Sequence, residues 1–252
     1  MNMGLSKRFA RTELLLGSDA LARLGRARVM VVGLGAVGSY ALEALARAGV
    51  GQFTLVDFDR LSVTNVNRQL LALESTLGRA KTDVARERLL DINPGCQVER
   101  LPLLVNAETI GQIMAQPADL VVDAIDSLNP KVELLASMVT DRRRVISSMG
   151  AATRRDPWAL RVGDLAETRV CPLAAALRQR LRRRGVRSGV RCIYSIEPVV
   201  APPPEAEAAV VSLEEDNLGS GRPRRPLGSI SYLTGMFGLL LAREALELLQ
   251  AS

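Results

Sequence analysis

Residues 28 to 59 read RVMVVGLGAVGSYALEALARAGVGQFTLVDFD, and the fold follows from this stretch. A valine-rich run breaks into Gly33-Leu34-Gly35-Ala36-Val37-Gly38, a helical segment continues to Gly49, and a second apolar run closes on Asp57 and Asp59. Strand, glycine turn, helix and strand within about 30 residues make a βαβ unit, whose strands pair in parallel through a right-handed crossover. In that setting the glycines let backbone approach a phosphate, and the helix N-terminus adds unpaired N–H groups and the positive end of its dipole. Asp57, 19 residues after Gly38, falls at a strand end where it can accept hydrogen bonds from a ribose. NAD, FAD and ATP fit this much equally.

The alternation extends outward. Residues 9–26 read as a short helical region. The spacing predicts a helix from Gly78 to Ile92 stopped by Asn93-Pro94, a strand in CQVERLPLLV (96–105) and a helix in ETIGQIMAQ (108–116). It then predicts an apolar strand in LVVDAID (120–126), a helix from Lys131 to Thr140 and a strand in RRVISSMG (143–150). The fold class is α/β: a Rossmann-like, doubly wound, mainly parallel sheet over residues 8–150. After Gly150 a smaller basic C-terminal extension, 151–252, is expected to complete the sheet. It offers a strand at Trp158 to Val162, a basic helix over 172–187 and a strand in RCIYSIEPV (191–199). A Pro-, Gly- and acid-rich flexible loop over 201–228 and an apolar helix over 229–250 follow.

Composition narrows the chemistry. The 252 residues contain no histidine, which excludes His-based triads, His–metal centres and imidazole proton shuttles. Thirty of the 33 basic residues are arginine, with lysine only at Lys7, Lys81 and Lys131. A net charge of +6 permits a polyanionic partner, although arginine bias also follows from GC-rich coding. Cys96, Cys171 and Cys192 form no CxxC pair, so a reducing, cytoplasmic setting without zinc is expected. The apolar core near the N-terminus is too short for a signal peptide. The uncharged stretch from Pro226 to Ala242 is 17 residues, the lower edge of a spanning helix. A buried or dimer-facing helix is preferred, and peripheral membrane contact stays open.

The residues after Asp59 separate the nucleotides. LSVTNVNRQ (61–69) supplies Asn65, Asn67 and Arg68, and Lys81 heads a helix. A triphosphate carries about two more charges than a dinucleotide's pyrophosphate, and arginine and lysine aimed at one pocket neutralise them. The alternative for Lys81 is a solvated helix-face lysine. Asp126, with Ser127 beside it, ends an apolar strand where open α/β sheets bind ligands, and a carboxylate there can hold Mg²⁺ against phosphate oxygens. Asp123, inside the strand, reads alternatively as a buried structural acid.

GLGAVGSYALEALARAGVGQFTLVDFD, TNVNRQ, GRAKTDVARERLLDINP and VVDAIDS together resemble the adenylation domain of the E1-like ThiF/MoeB/HesA superfamily over about residues 8 to 150. NPKVELL, DLAETRVCPLAAALRQRLRRRGV and YSIEPV resemble, within it, the branch of tRNA threonylcarbamoyladenosine dehydratases. The resemblance implies that Gly33, Gly35 and Gly38 line the ATP phosphates and that Asp57 binds the ribose, with Asp59 beside it. Asn65, Asn67, Arg68 and Lys81 would meet the triphosphate, and Asp126 with Ser127 would hold Mg²⁺ and orient the attacked phosphorus. Arg8 and Arg11 match an Arg-x-x-Arg whose second arginine reaches a neighbouring subunit's ATP, so the implied catalytic set is Arg68, Lys81, Asp126 and Arg11 in a homodimer. Neither Cys171 nor Cys192 is assigned a catalytic role.

The implied reaction uses ATP and Mg²⁺ to dehydrate N6-threonylcarbamoyladenosine (t6A) at position 37 of tRNA. A monovalent cation and a sulfur- or electron-carrier protein stay open, and DNA is not expected as a partner. The tRNA contact is expected at Arg178, Arg180, Arg182, Arg183 and Arg184, with Arg187 and Arg191 nearby, the alternative being a solvated charged face. The competing reading is an E1-like enzyme that activates the C-terminus of a ubiquitin-like sulfur-carrier protein. An NAD-dependent oxidoreductase is disfavoured by Arg68, Lys81 and Asp126, and a non-catalytic scaffold by the intact nucleotide residues.

Overall fold

The computed structural model describes residues 7–199 and 227–251, so nearly all of the loop expected at 201–228 lies outside the described residues. The N-terminal half runs α1 (Ala10–Leu16), α2 (Ser18–Arg26), β1 (Arg28–Val32), α3 (Gly38–Ala48), β2 (Gln52–Val56), α4 (Lys81–Ile92) and β3 (Gln97–Leu101). It continues through α5 (Ile110–Met114), β4 (Leu120–Asp123), α6 (Leu128–Thr140) and β5 (Val145–Ser148). The remainder is β6 (Leu160–Asp164), α7 (Pro172–Arg183), β7 (Arg191–Ser195) and α8 (Ser231–Gln250).

The strands form one seven-stranded sheet in the order β3-β2-β1-β4-β5-β7-β6. All neighbours are parallel except β6, which runs antiparallel to β7. Strand β1 explains why its sequence shows no alternation. Val29 and Val31 belong to the core beneath α3 and α8, whereas Met30 and Val32 belong to the core beneath α6 and α7. A sheet covered on both faces needs apolar residues at every position. Strand order reverses between β1 and β4, and the crevice outside their carboxyl ends is where open α/β sheets bind ligands.

Several boundaries differ from the sequence reading, each for a local reason. Helix α4 begins at Lys81, not Gly78, because residues 78–80 turn back on 60–61: Leu61 N donates to Arg79 O and Gly78 N to Leu61 O. Helix α6 begins at Leu128 rather than Lys131, since Pro130 sits in the first turn, where its missing N–H has no partner to lose. Strand β4 stops at Asp123, leaving Asp126 in the loop beyond it. Strand β6 starts at Leu160, after the Asp156 side chain caps a single 3₁₀ turn at Pro157–Ala159. The basic helix ends at Arg183, and Gly185 follows with φ 83°.

Helix α8 lies on α3. A Cβ at Gly238 would stand 2.4 Å from Val37 O, and one at Gly235 would press on the Tyr40 ring at 3.2 Å, so the two glycines set how closely the helices meet. Leu233, Phe237, Leu241, Ala245 and Leu249 form the buried stripe. Much of the apolar surface of α8 is thus buried within the chain, while Tyr232 and Leu239 stay exposed. Among the described residues no helix is long and apolar enough to cross a membrane.

Candidate active site

The three glycines of the β1–α3 turn do three different things. Gly33 has φ 91°, and a Cβ there would lie 2.9 Å from Ala124 C and O. Gly38 is closer still: its Cβ would meet Gly33 O at 1.8 Å. Both positions are fixed by the chain's own packing. Gly35 differs, because a Cβ there would find only Gln69 Nε2, at 3.9 Å. The first glycine makes the turn, the third lets helix meet strand, and the second leaves backbone open to an approaching phosphate.

Asp57 closes β2 and is buried. Its Oδ2 accepts from Leu34 N at 2.6 Å and its Oδ1 from Asp59 N at 2.8 Å, so one carboxylate holds the glycine turn against the next loop. Burial raises its pKa above the usual carboxylate value; the Lys81 charge and the two backbone donors oppose that rise, while the Asp59 charge adds to it. The carboxylate has about four lone-pair sites, so it can serve both backbone donors and a ribose.

Lys81 is 5% exposed, and its Nζ donates to Asp59 Oδ2 at 2.8 Å. It is a buried cation at the head of α4, not a solvated helix-face lysine. Arg68 stands on the neighbouring loop, its Nη1 donating to Thr64 O at 2.7 Å and Asn67 Oδ1 at 2.9 Å. Asn65 uses Oδ1 to accept from Ser62 N at 3.2 Å, capping the 3₁₀ turn at Val63–Asn65. Asn67 donates through Nδ2 to Ser229 O at 3.1 Å, so both polar ends of its amide tie this loop together and to the approach of α8. Across the crevice, Asp126 is exposed beyond β4 and accepts from Ser127 Oγ at 2.9 Å.

Two residues of this region escape the sequence reading. Gln69 is 7% exposed, and its Oε1 is buried with no hydrogen-bond partner among the described residues. A buried acceptor left without a partner calls for a donor, and Nε2 of the same amide is the end that lies toward Gly35. Its signal is adjacency to Arg68. Lys131 is wholly buried and paired with Asp123, which is the structural acid anticipated for that position. Its signal is scarcity, being one of three lysines.

Other expected residues lie apart. Phe9 packs beside Gly49, its Cγ 3.6 Å from where a Cβ would be, and Arg8 Nη1 reaches Ile92 O at 3.3 Å. Gly49 closes the end of α3 remote from the glycine turn, about 16 Å away for an 11-residue helix. Arg11, exposed on α1 two residues after Phe9, therefore stands on the side of the fold away from the glycine turn. The basic run is partly neutralised. Arg178 Nη1 donates to Thr168 Oγ1, Arg180 to Asn129 Oδ1, Arg184 pairs with Glu133 at 2.8 Å and Arg191 with Glu244. Arg182, Arg183 and Arg187 are exposed, with no ion pair among the described residues. Cys171 and Cys192 are buried, and burial pushes the Cys192 thiol up to about 12, far from a thiolate nucleophile.

A family model described as the ThiF family matches residues 9–252. A tRNA threonylcarbamoyladenosine dehydratase of Bacillus subtilis (strain 168) is 38% identical over 234 residues, covering 92% of this chain and 91% of that protein. One from Escherichia coli (strain K12) is 37% identical over 254 residues, covering 97% and 94%. The crystal structure of the E. coli enzyme, TcdA, in complex with ATP superposes with TM-score 0.85 at 36% identity, covering 98% of this chain and 95% of that one.

Proposed function

The chain belongs to the ThiF family, and on that footing we propose that it converts t6A at position 37 of tRNA to its cyclic, dehydrated form with consumption of ATP. What supports this reading is the β1/β4 switch point: Gly35 is open in the turn after β1, Lys81 is buried against Asp59 beyond β2, and Asp126 follows β4. A carboxylate is a poor electrophile. Attack of its oxygen on the α-phosphorus of ATP releases pyrophosphate and gives an acyl-adenylate. Ring closure within the threonylcarbamoyl side chain then expels AMP, which carries away the carboxylate oxygen. The nucleophile is tethered already, so no side chain has to supply one.

The chain's part is positioning and charge. Gly35 and the N-terminus of α3 receive the phosphates, Asp57 the ribose, and Arg68 and Lys81 offset charge on the triphosphate. Mg²⁺ fits the donor set: Asp126 is a single hard carboxylate, which is how magnesium is usually held between protein and nucleotide. Among the described residues no group of three or more His, Cys, Asp and Glu side chains could hold a metal ion, so the nucleotide would supply the other ligands. When bound, the ion would supply charge neutralisation for the triphosphate. Arg11 would act only across a dimer, on the partner's site, and a tRNA substrate would suit the cytoplasmic setting expected from the sequence.

Incubating t6A-containing tRNA with protein, Mg²⁺ and ATP should yield nucleosides lighter by one water, as read by mass spectrometry. Absence of that ATP-dependent loss refutes the assignment, and AMP formation driven instead by a small protein ending in Gly-Gly establishes the sulfur-carrier reading. For tRNA contact, the exposed arginines with neither an ion pair nor a side-chain hydrogen bond among the described residues are the ones to test. The triple variant R182E/R183E/R187E should weaken tRNA binding and flatten the slope of log affinity against log salt by about 0.7–0.9 for each phosphate no longer neutralised. Unchanged affinity and slope would remove this face from the tRNA site.

A further inference from the structure

Lys131 and Asp123 lie beneath the crevice with both side chains wholly buried and Nζ 2.7 Å from Asp123 Oδ2. A buried ion pair is weak evidence for stability, because desolvation of the two charges offsets much of their attraction. The geometry around the pair shows another use. Lys131 Nζ donates to Ile125 O at 2.8 Å, Asp123 Oδ1 accepts from Ile125 N at 3.1 Å, and Ser147 Oγ donates to Asp123 Oδ2 at 2.7 Å. Between them the two side chains hold both backbone polar groups of Ile125, the residue immediately before Asp126.

The same stretch of backbone abuts the phosphate turn from its other side. It is Ala124 C and O, and Ile125 N at 3.1 Å, that leave no room for a Cβ on Gly33. We propose that Lys131, with Asp123 as its counter-ion, is a positioning residue that clamps residues 124–126 and thereby fixes Asp126 relative to the phosphate turn. Lys131 touches neither nucleotide nor substrate; it acts through the peptide it holds. Removing its charge frees Ile125 O and leaves Asp123 buried without a counter-ion. The kinetic consequence of the clamp rests on the dehydratase reading; its effect on backbone exchange does not.

The experiment compares K131M, K131R and the double variant D123N/K131M by hydrogen–deuterium exchange, melting temperature and steady-state AMP release with t6A-tRNA. K131M is expected to exchange faster at residues 124–127 and 33–36 while β7 stays protected. Its kcat should fall by about 10- to 100-fold, the range seen when groups that orient a first ligand are removed. KM for ATP should change little, since the loss falls on the transition state. K131R should recover part of kcat. The double variant, which has no buried charge left, should regain melting temperature without regaining rate, and it carries the test if K131M does not fold.

Three results overturn the proposal: exchange that rises uniformly across the sheet, a double variant that recovers rate together with stability, or a K131M protein with normal exchange at 124–127. Wild-type protein that releases no AMP with t6A-tRNA refutes the dehydratase reading instead, and the exchange pattern then decides the clamp alone.

Discussion

Lys81→Met is expected to lower ATP-dependent dehydration by about 10²- to 10³-fold in kcat, the usual cost of deleting one preorganised group that meets developing charge. The side chain is buried at the head of α4 and held by Asp59, so its charge is fixed before nucleotide arrives. Methionine keeps the length and removes the cation, leaving Asp57 and Asp59 to face a triphosphate without it. The Asp57 carboxyl also loses the charge that opposes its upward shift. Stability should suffer much less, because Asp59 is nearly half exposed and can be solvated once its partner is gone. Pyrophosphate exchange and AMP release, set beside a thermal melt, separate the two effects. A K81M protein with wild-type AMP release would take Lys81 out of the site.

The glycine turn supplies the second large effect, and it splits by position. Gly38→Ala puts a Cβ 1.8 Å from Gly33 O, a backbone atom that cannot swing aside. Relief requires α3 to back away from β1, and a loss of about 3 kcal/mol or more is expected. For a chain of this size that is roughly a 6–12 °C fall in Tm. Gly35→Ala meets only the end of the Gln69 side chain at 3.9 Å, so the melt should hardly move. The added methyl instead stands where backbone would meet phosphate, and ATP affinity should fall about tenfold, equivalent to about 1.4 kcal/mol. Equal melting temperatures for the two variants would show that the turn relaxes as a unit.

The sheet is legible because its signals are local. A glycine turn between a valine-rich run and a helix, and apolar strands ending in acids, each lie within one window of sequence. The features hidden from the sequence depend on distant partners. Nothing in NPKVELL announces that Lys131 pairs with an acid inside the preceding strand, and nothing near Arg184 or Arg191 shows that Glu133 and Glu244 neutralise them. Counting seven arginines without an intervening acid overstates the free charge, since the acids arrive from other helices. Asn67 carries the right composition for a phosphate ligand, and nothing around it in sequence shows that its amide also engages Arg68 and Ser229. A helix start at Gly78 fails for the same reason: the backbone there is paired to residues 60–61 instead.

Asn67 Nδ2 on Ser229 O, Tyr40 Oη with Ser231 Oγ, and Thr153 N on Gly228 O fasten the entry of α8 to the nucleotide loop, to α3 and to the segment after β5. A ribosome makes residues 28–59 early and residues 228–249 much later. The emerging chain therefore displays its whole glycine motif while the surface of α3 that α8 will cover, with Val37 and Tyr40, is still bare. Full order at the nucleotide loop would therefore await the docking of α8, long after the motif that announces it has been made.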